Sequence, residues 1–272
     1  MLTLSLKSHS TLPLELSEII PEIVREKSLA EVAKLKMWHG RVQVALAELF
    51  SISGSATDQQ LEFSGDLSTA VGIGANMKSG KIRVHGNAGR EVGLGMSGGE
   101  IEVTGNVGDS PGAEMHGGII RVQGSAGNFV GGARVGSTRG MTGGTILVLG
   151  NARNGIGSRM RRGLIAVAGN AGELVGHNML AGTIVINCAC GRHAGAGMKR
   201  GTLCLVHDSD AQLLPTFRYA CRTNSPMLGM LGRQLQSLGF ENQLGETNRQ
   251  WQQFNGDFLA SGRGELFVAS GR

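Results

Sequence analysis

The sequence predicts a mainly β fold: a right-handed parallel β-helix of about seven 19-residue coils, with an N-terminal cap and C-terminal helices. Three periodic features predict it. Methionine recurs at one phase, at Met77, Met96, Met115, Met141, Met160, Met179 and Met198, in steps of 19, 19, 26, 19, 19 and 19 residues. Glycine holds fixed columns around it, one at Gly74, Gly93, Gly112, Gly131, Gly157, Gly176 and Gly195, another at Gly80, Gly99, Gly118, Gly144, Gly163, Gly182 and Gly201. A short strand opens each unit, from Ile82-Arg83-Val84 and Ile101-Glu102-Val103 through Ile165-Ala166-Val167 to Leu203-Cys204-Leu205. A fixed period of this length marks one supersecondary unit stacked on itself.

Each feature has a physical role. Glycine supplies the positive φ and close backbone approach that sharp corners need. In the third glycine column (Gly86, Gly105, Gly124, Gly150, Gly169) Cys188 takes the last place. Alternating Ile and Val point inward while the intervening residues point out. Methionine is a soft filler stacked along the axis, and parallel crossovers are right-handed. The 26-residue step carries seven extra residues near Ala133–Arg139. They leave one corner as a loop, which is either a contact site or a tolerated insertion.

Outside the repeat the pattern changes. Leu2–Leu6 alternates as a strand, Leu16–Lys36 has helical spacing, and Arg41–Ile52 has strand character. These place an N-terminal α/β cap at 1–60, which covers strand edges that would otherwise aggregate. The repeat domain spans 61–208. A C-terminal segment, 209–272, holds one or two helices over Gln212–Leu238, broken at Ser225-Pro226, and a weakly specified tail after Gly239.

At 272 residues the chain can bury a sizeable core. High glycine (45 residues) under a strict period indicates repeat architecture rather than disorder. Lys and Arg number 26 against 21 Asp and Glu. The resulting +5 suits an anionic ligand or partner but is too weak to indicate nucleic acid. No apolar run is long enough to span a membrane. Met1–Leu6 lacks the basic region and apolar stretch of a signal peptide. Four cysteines (Cys188, Cys190, Cys204, Cys221) in such a chain predict a cytoplasmic protein with reduced thiols.

Chemistry-bearing motifs are few. Gly93-Leu94-Gly95-Met96-Ser97-Gly98 matches G-x-G-x-x-G, but the repeat generates it outside a strand–turn–helix context. The cysteine spacing is that of neither a zinc ribbon nor a ferredoxin cluster. Histidines 85, 116, 177 and 193 share no phase, and no carboxylate pair compels an acid–base role. The residues thus predict no catalytic, cofactor or metal site on this chain.

Two surface features stand out. Outward strand positions are polar in the first coils (Arg83, Glu102, Arg121) and apolar later (Leu147, Leu149, Val185, Val206). An apolar stripe of that length is covered either by the chain's own C-terminal helices or by a partner subunit. Basic residues cluster at Arg153, Arg159, Arg161 and Arg162, and two coils later at Arg192, Lys199 and Arg200. That is a candidate patch for a polyanion or acidic partner, or a solvated face.

The consensus I-x-V-x-G-N-A-G-x-x-V-G-x-x-M-x-G-G resembles the C subunit of formylmethanofuran dehydrogenase and of its bacterial relative, the formyltransferase/hydrolase complex. Trp38-His39-Gly40, Arg139-Gly140-Met141-Thr142-Gly143-Gly144 and Met198-Lys199-Arg200-Gly201-Thr202 fit the same pattern. The likeness runs from about Ser17 to about Leu238, and extends to the C-terminal domain of glutamate synthase. It implies a role in one-carbon metabolism. A formyltransferase subunit moves a formyl group from formyl-tetrahydromethanopterin to a methanofuran-type carrier, and an amidohydrolase-like, metal-binding subunit hydrolyses it to formate. The C subunit would carry no cofactor of its own. Its partners would be those two subunits and a further one. The carrier's glutamate-rich tail would be the natural polyanion for the basic patch. A charged fraction of 17% is low for a hyperthermophile and favours the bacterial complex. Three alternatives stand beside it: the molybdenum or tungsten dehydrogenase, a stand-alone β-helix enzyme, and a glutamate-synthase-like coupling domain.

Overall fold

The computed structural model describes residues 1–55, 57–207, 212–244 and 249–269. The N-terminal segment runs β1 (Leu2–Leu6), β2 (Leu14–Glu15), α1 (Pro21–Val24), α2 (Leu29–Ala33), β3 (Lys36–His39), β4 (Val42–Ala45), α3 (Leu46–Leu49) and β5 (Phe50–Gly54). The repeats follow as β6 (Gln60–Ser64), β7 (Leu67–Val71), β8 (Lys81–His85), β9 (Ala88–Arg90), β10 (Glu100–Val103), β11 (Ile119–Val122), β12 (Thr145–Val148), β13 (Leu164–Val167), β14 (Thr183–Ile186) and β15 (Arg200–Leu205). The C-terminal segment holds β16 (Arg218–Thr223), α4 (Pro226–Ser237), β17 (Trp251–Gly256) and β18 (Arg263–Ala269).

The fold is mainly β, with four helices among the described residues. The larger sheet has thirteen strands in the order β16-β17-β18-β15-β14-β13-β12-β11-β10-β8-β6-β1-β5. From β6 to β15 the strands are parallel and pair in the repeat register, Ile82 beside Ile101, then Ile120, Ile146, Ile165, Ile184 and Leu203. A second parallel column runs through β7 and β9 and on through bridges at Val107, Ala126, Ala152, Ala171 and Cys190. A third is made of single backbone bonds, such as Gly112 N to Val92 O at 2.7 Å and Gly195 N to Val175 O at 2.7 Å. Each repeat therefore touches the next along three lines.

The core follows the sequence pattern. All seven ladder methionines and the inward isoleucines from Ile82 to Ile184 are fully buried. Fully burying a side chain of this size stabilises by about 1.5–3 kcal/mol. The glycine beside each methionine step is sterically required. Gly112 has φ +64°, and a Cβ there would stand 2.3 Å from Cδ1 of Ile146 on β12.

The asparagines in the consensus have a role that periodicity alone did not reveal. Asn87 Oδ1 accepts from Asn106 N (3.0 Å), Asn106 from Ser125 N (2.8 Å), and Ser125 Oγ from Asn151 N (3.1 Å); Asn151 and Asn170 continue the ladder. A parallel ladder links Asp109, Asn128, Asn154 and Glu173. Both satisfy corner N–H groups that lack a strand partner.

The ends imitate the repeat. Within it, the N–H after each methionine bonds the preceding methionine's carbonyl, and at four of the six steps the next N–H does so too, as Ser97 and Gly98 do to Met77. At the first repeat Lys78 N and Ser79 N both donate instead to Glu22 Oε1, at 2.6 Å. At the last, Gly197 N donates to Asp257 Oδ2 (3.0 Å), where Asn178 N one repeat earlier uses Ala196 O. Burial works against the charge on Asp257. The Leu259 and Gly197 amides outweigh that, and hold its pKa below the usual carboxylate value.

Several boundaries differ from expectation. The helical spacing of 16–36 breaks into α1 and α2, with a capping box of Ser28 and Glu31 starting the second. The stretch 41–52 is interrupted by α3. One helix, α4, forms within 212–238, and Pro226 sits at its first turn. The tail after Gly239 supplies β17 and β18. β18 pairs in parallel with β15 and places Leu266 beside Leu203, so it serves as one more rung. The 13-stranded sheet thus crosses both expected domain boundaries. The boundary at 208/209 itself lies outside the described residues.

Candidate partner-contact surface

The outer face of the large sheet divides into two halves. On β6, β8, β10 and β11 it is a mesh of ion pairs: Lys81 Nζ to Glu100 (3.3 Å), Arg83 to Glu62 (3.8 Å) and Glu102 (3.6 Å), and Arg121 Nε to Glu100 (3.1 Å). Burial opposes the charge on Glu100. Hydrogen bonds from Arg121 and Lys81 outweigh it and hold the carboxyl below its ordinary pKa.

On β12 to β15 the outward residues are apolar and covered by the chain itself. Leu147, Ala166, Val185, Cys204 and Val206 are buried against Leu228, Leu231 and Leu235 of α4, and against Phe240, Trp251 and Phe267. The three leucines lie at i, i+3 and i+7, one face of the helix. This corrects the reading of the stripe as an interface with another subunit. Leu147, Val185 and Val206 are within the chain's own second core, and only Leu149, at 46% exposure, remains outside. Burial pushes the Cys204 thiol pKa far up, so it stays protonated and inert.

The seven basic residues are all exposed, but the register separates them. Arg161 and Lys199 hold the same place two repeats apart, as do Arg162 and Arg200. Arg263 pairs beside Arg200 across β15 and β18 and extends that ridge. Arg153 and Arg192 lie at another corner, near the second parallel column. Arg159 faces the inserted loop, where its guanidinium bonds Ser137 O at 2.5 Å. The cluster is therefore one four-residue ridge and three outliers.

The loop at 133–139 walls an open cleft of about 1130 Å³, lined by Glu91, Glu114, Phe129, Arg134, Arg159 and His177 among others. Arg134 reaches Glu91 at 3.6 Å, and its amide donates to Glu114 at 3.3 Å. Burial, then the Arg159 charge, depresses the His177 pKa, so the imidazole is neutral at physiological pH.

Among the described residues no group of three or more His, Cys, Asp and Glu can hold a metal ion, Cys188, Cys204 and Cys221 are free thiols, and no helix is long and apolar enough to cross a membrane. Gly93–Gly98 forms a corner between β9 and β10, with no helix after it.

Known proteins share this arrangement. A family model of the GXGXG motif matches residues 60–221. A chain in the crystal structure of the formyltransferase/hydrolase complex from Methylorubrum extorquens, solved with methylofuran, superposes with a TM-score of 0.88 at 32% identity, covering 99% of this chain and 100% of that one. The C subunit of the molybdenum-containing formylmethanofuran dehydrogenase 1 of Methanothermobacter marburgensis is 41% identical over 87 residues, 32% of this chain and 22% of that subunit. The C subunit of the tungsten-containing dehydrogenase 2 of Methanothermobacter thermautotrophicus is 34% identical over 85 residues, 30% of this chain and 32% of that subunit. The matches thus span a fifth to a third of these curated relatives. The chain belongs to the GXGXG family, and its relatives include a chain of a formyltransferase/hydrolase complex and the C subunits of formylmethanofuran dehydrogenases.

Proposed function

We propose that this chain is a non-catalytic structural subunit of a cytoplasmic complex. That complex transfers a formyl group from formyl-tetrahydromethanopterin to a methanofuran-type carrier and hydrolyses it to formate. The observation that carries the reading is the end-to-end match to a chain of the formyltransferase/hydrolase complex, at a TM-score of 0.88. The surface agrees with it: a stack of repeats hydrogen-bonded along three columns, with exposed loop and ridge features. In this reading the three hydrogen-bonded columns wind as a right-handed β-helix of about seven coils. The carrier, and the metal on an amidohydrolase-like subunit, belong to the complex and not to this chain.

Affinity purification through a tag on this chain tests the proposal. Formyltransferase and amidohydrolase-like subunits should come with it in fixed ratio; recovery of a stable lone monomer would overturn it. The molybdenum or tungsten dehydrogenase is the second reading, favoured by the 41% identity of the local match. Metal analysis separates the two, since molybdenum or tungsten with iron in the purified complex would select the dehydrogenase.

The ridge of Arg161, Arg162, Lys199 and Arg200 fits a polyanion, because guanidinium groups bind carboxylates as paired donors. We assign it to the glutamate-rich tail of the carrier. Charge reversal at Arg161, Arg162 and Arg200 should lower carrier retention in the purified complex, and unchanged retention would remove the assignment.

A further inference from the structure

We propose that β16 is a docking edge for an acidic, extended strand of another subunit, an inference that rests on the subunit role proposed above. The thirteen-stranded sheet has two edges, β5 and β16. They are treated differently. At β5, α2 and α3 pack beside the strand, and Phe50 is buried. At β16 five of six residues are exposed, and among the described residues its strand partner is β17 alone. Among the described residues no strand pairs with its far side, which leaves backbone donors and acceptors as a template for strand addition.

The surroundings of β16 suit a partner. Tyr219, Phe258 and Leu259 are 56, 53 and 85% exposed. Tyr219 is held edge-on to Phe254 at 5.8 Å, and the Arg218 guanidinium stands 5.3 Å over the Phe258 ring. These contacts fix an aromatic platform beside the open edge, and such a patch marks a contact surface.

Charge chooses the occupant. Neither Arg218 nor Arg222 makes an ion pair among the described residues. Self-pairing of two copies would crowd four guanidiniums into one six-residue ladder, and like charges across a strand pair are destabilising. Opposite Asn255 and Gln252, the two arginines stand on opposite faces of the sheet, Arg222 on the face of Tyr219 and Phe254. A strand that carries a carboxylate toward each face meets both with opposite charge, and an apolar residue beside the one that meets Arg222 packs on Tyr219.

Hydrogen exchange read by mass spectrometry, on the complex purified through this chain and on the isolated chain, tests the proposal. The amides of 218–223 that face away from β17 should exchange at least tenfold more slowly in the complex. Equal rates in an intact complex overturn the docking edge and leave the subunit reading standing. Recovery of the chain without partners overturns both. Slow exchange in the isolated chain, with a doubled mass by light scattering, would show a second copy as the occupant and overturn the acidic strand. In the complex, R218E/R222E should cut retention of the contacting subunit about tenfold while R218K/R222K keeps it. Full retention by R218E/R222E also counts against the proposal.

Discussion

The early and late halves of one sheet have the same inner face and opposite outer faces. Inside, β8, β10 and β11 and β12 to β15 carry the same aliphatic rungs, isoleucine and valine giving way to Leu203 and Leu205 on β15, all buried. Outside, the early strands bear Lys81, Arg83, Glu100, Glu102 and Arg121 in mutual ion pairs, while the late ones bear Leu147, Ala166, Val185 and Cys204 beneath α4. The difference teaches that the repeat specifies only the inner face. The outer face is free to encode what lies on it: water in one half, the chain's own C-terminal segment in the other.

The two halves should respond very differently to the same kind of change. Val185→Asp puts an unpaired carboxylate under α4, where it has neither water nor partner. A loss of about 4 kcal/mol, or failure to fold, is expected in urea unfolding or soluble yield. A loss below about 1 kcal/mol would mean that α4 lifts readily from the sheet. Leu235→Ala, the same contact seen from the helix side, removes a fully buried leucine and should cost about 3 kcal/mol.

How much of this was legible in the sequence depends on what each residue answers to. The inner face was legible throughout, because Met96, Ile101 and Gly93 each answer to a neighbour 19 residues away and so repeat at that interval. The asymmetry of the outer face was legible too, but what covers it was not. Leu147 looks the same in sequence whether a partner or α4 lies over it. The run Leu266-Phe267-Val268 is too short to distinguish strand from helix by period. Only its pairing with β15 makes it a rung. The basic cluster was half legible. Phase joins Arg161 to Lys199, but Arg153 and Arg192 share a repeat with the ridge and not a corner. Glu22 was invisible, since a side chain imitating a missing carbonyl has no periodic signature.

The seam between the halves is Arg121. It pairs with Glu100 on the charged side, and it donates to Leu238 O at the end of α4. Arg121→Ala should cost about 1–2 kcal/mol, the scale of hydrogen bonds to a charged group. The helix end should also exchange its amides faster. Loss of stability without faster exchange at 235–239 would place the effect on the ion-pair mesh alone.

The smallest expected effect is the most diagnostic of the charged half. Glu100 is only partly buried, so its pairs with Lys81 and Arg121 are screened by water, and Glu100→Gln should cost under about 1 kcal/mol. Its sign with pH is fixed. The folded carboxyl has a pKa below its ordinary value of 4.5, because the Arg121 and Lys81 hydrogen bonds outweigh burial. Its contribution is therefore fully present above the unfolded pKa, and is lost as pH falls through the lower, folded one. The gap between wild type and Glu100→Gln in urea midpoint should be present at about pH 6–7, shrink on acidification through the carboxylate range, and narrow with added salt. A gap that persisted unchanged below the folded pKa would show that Glu100 acts by shape. The early face would then be a packed surface like the late one.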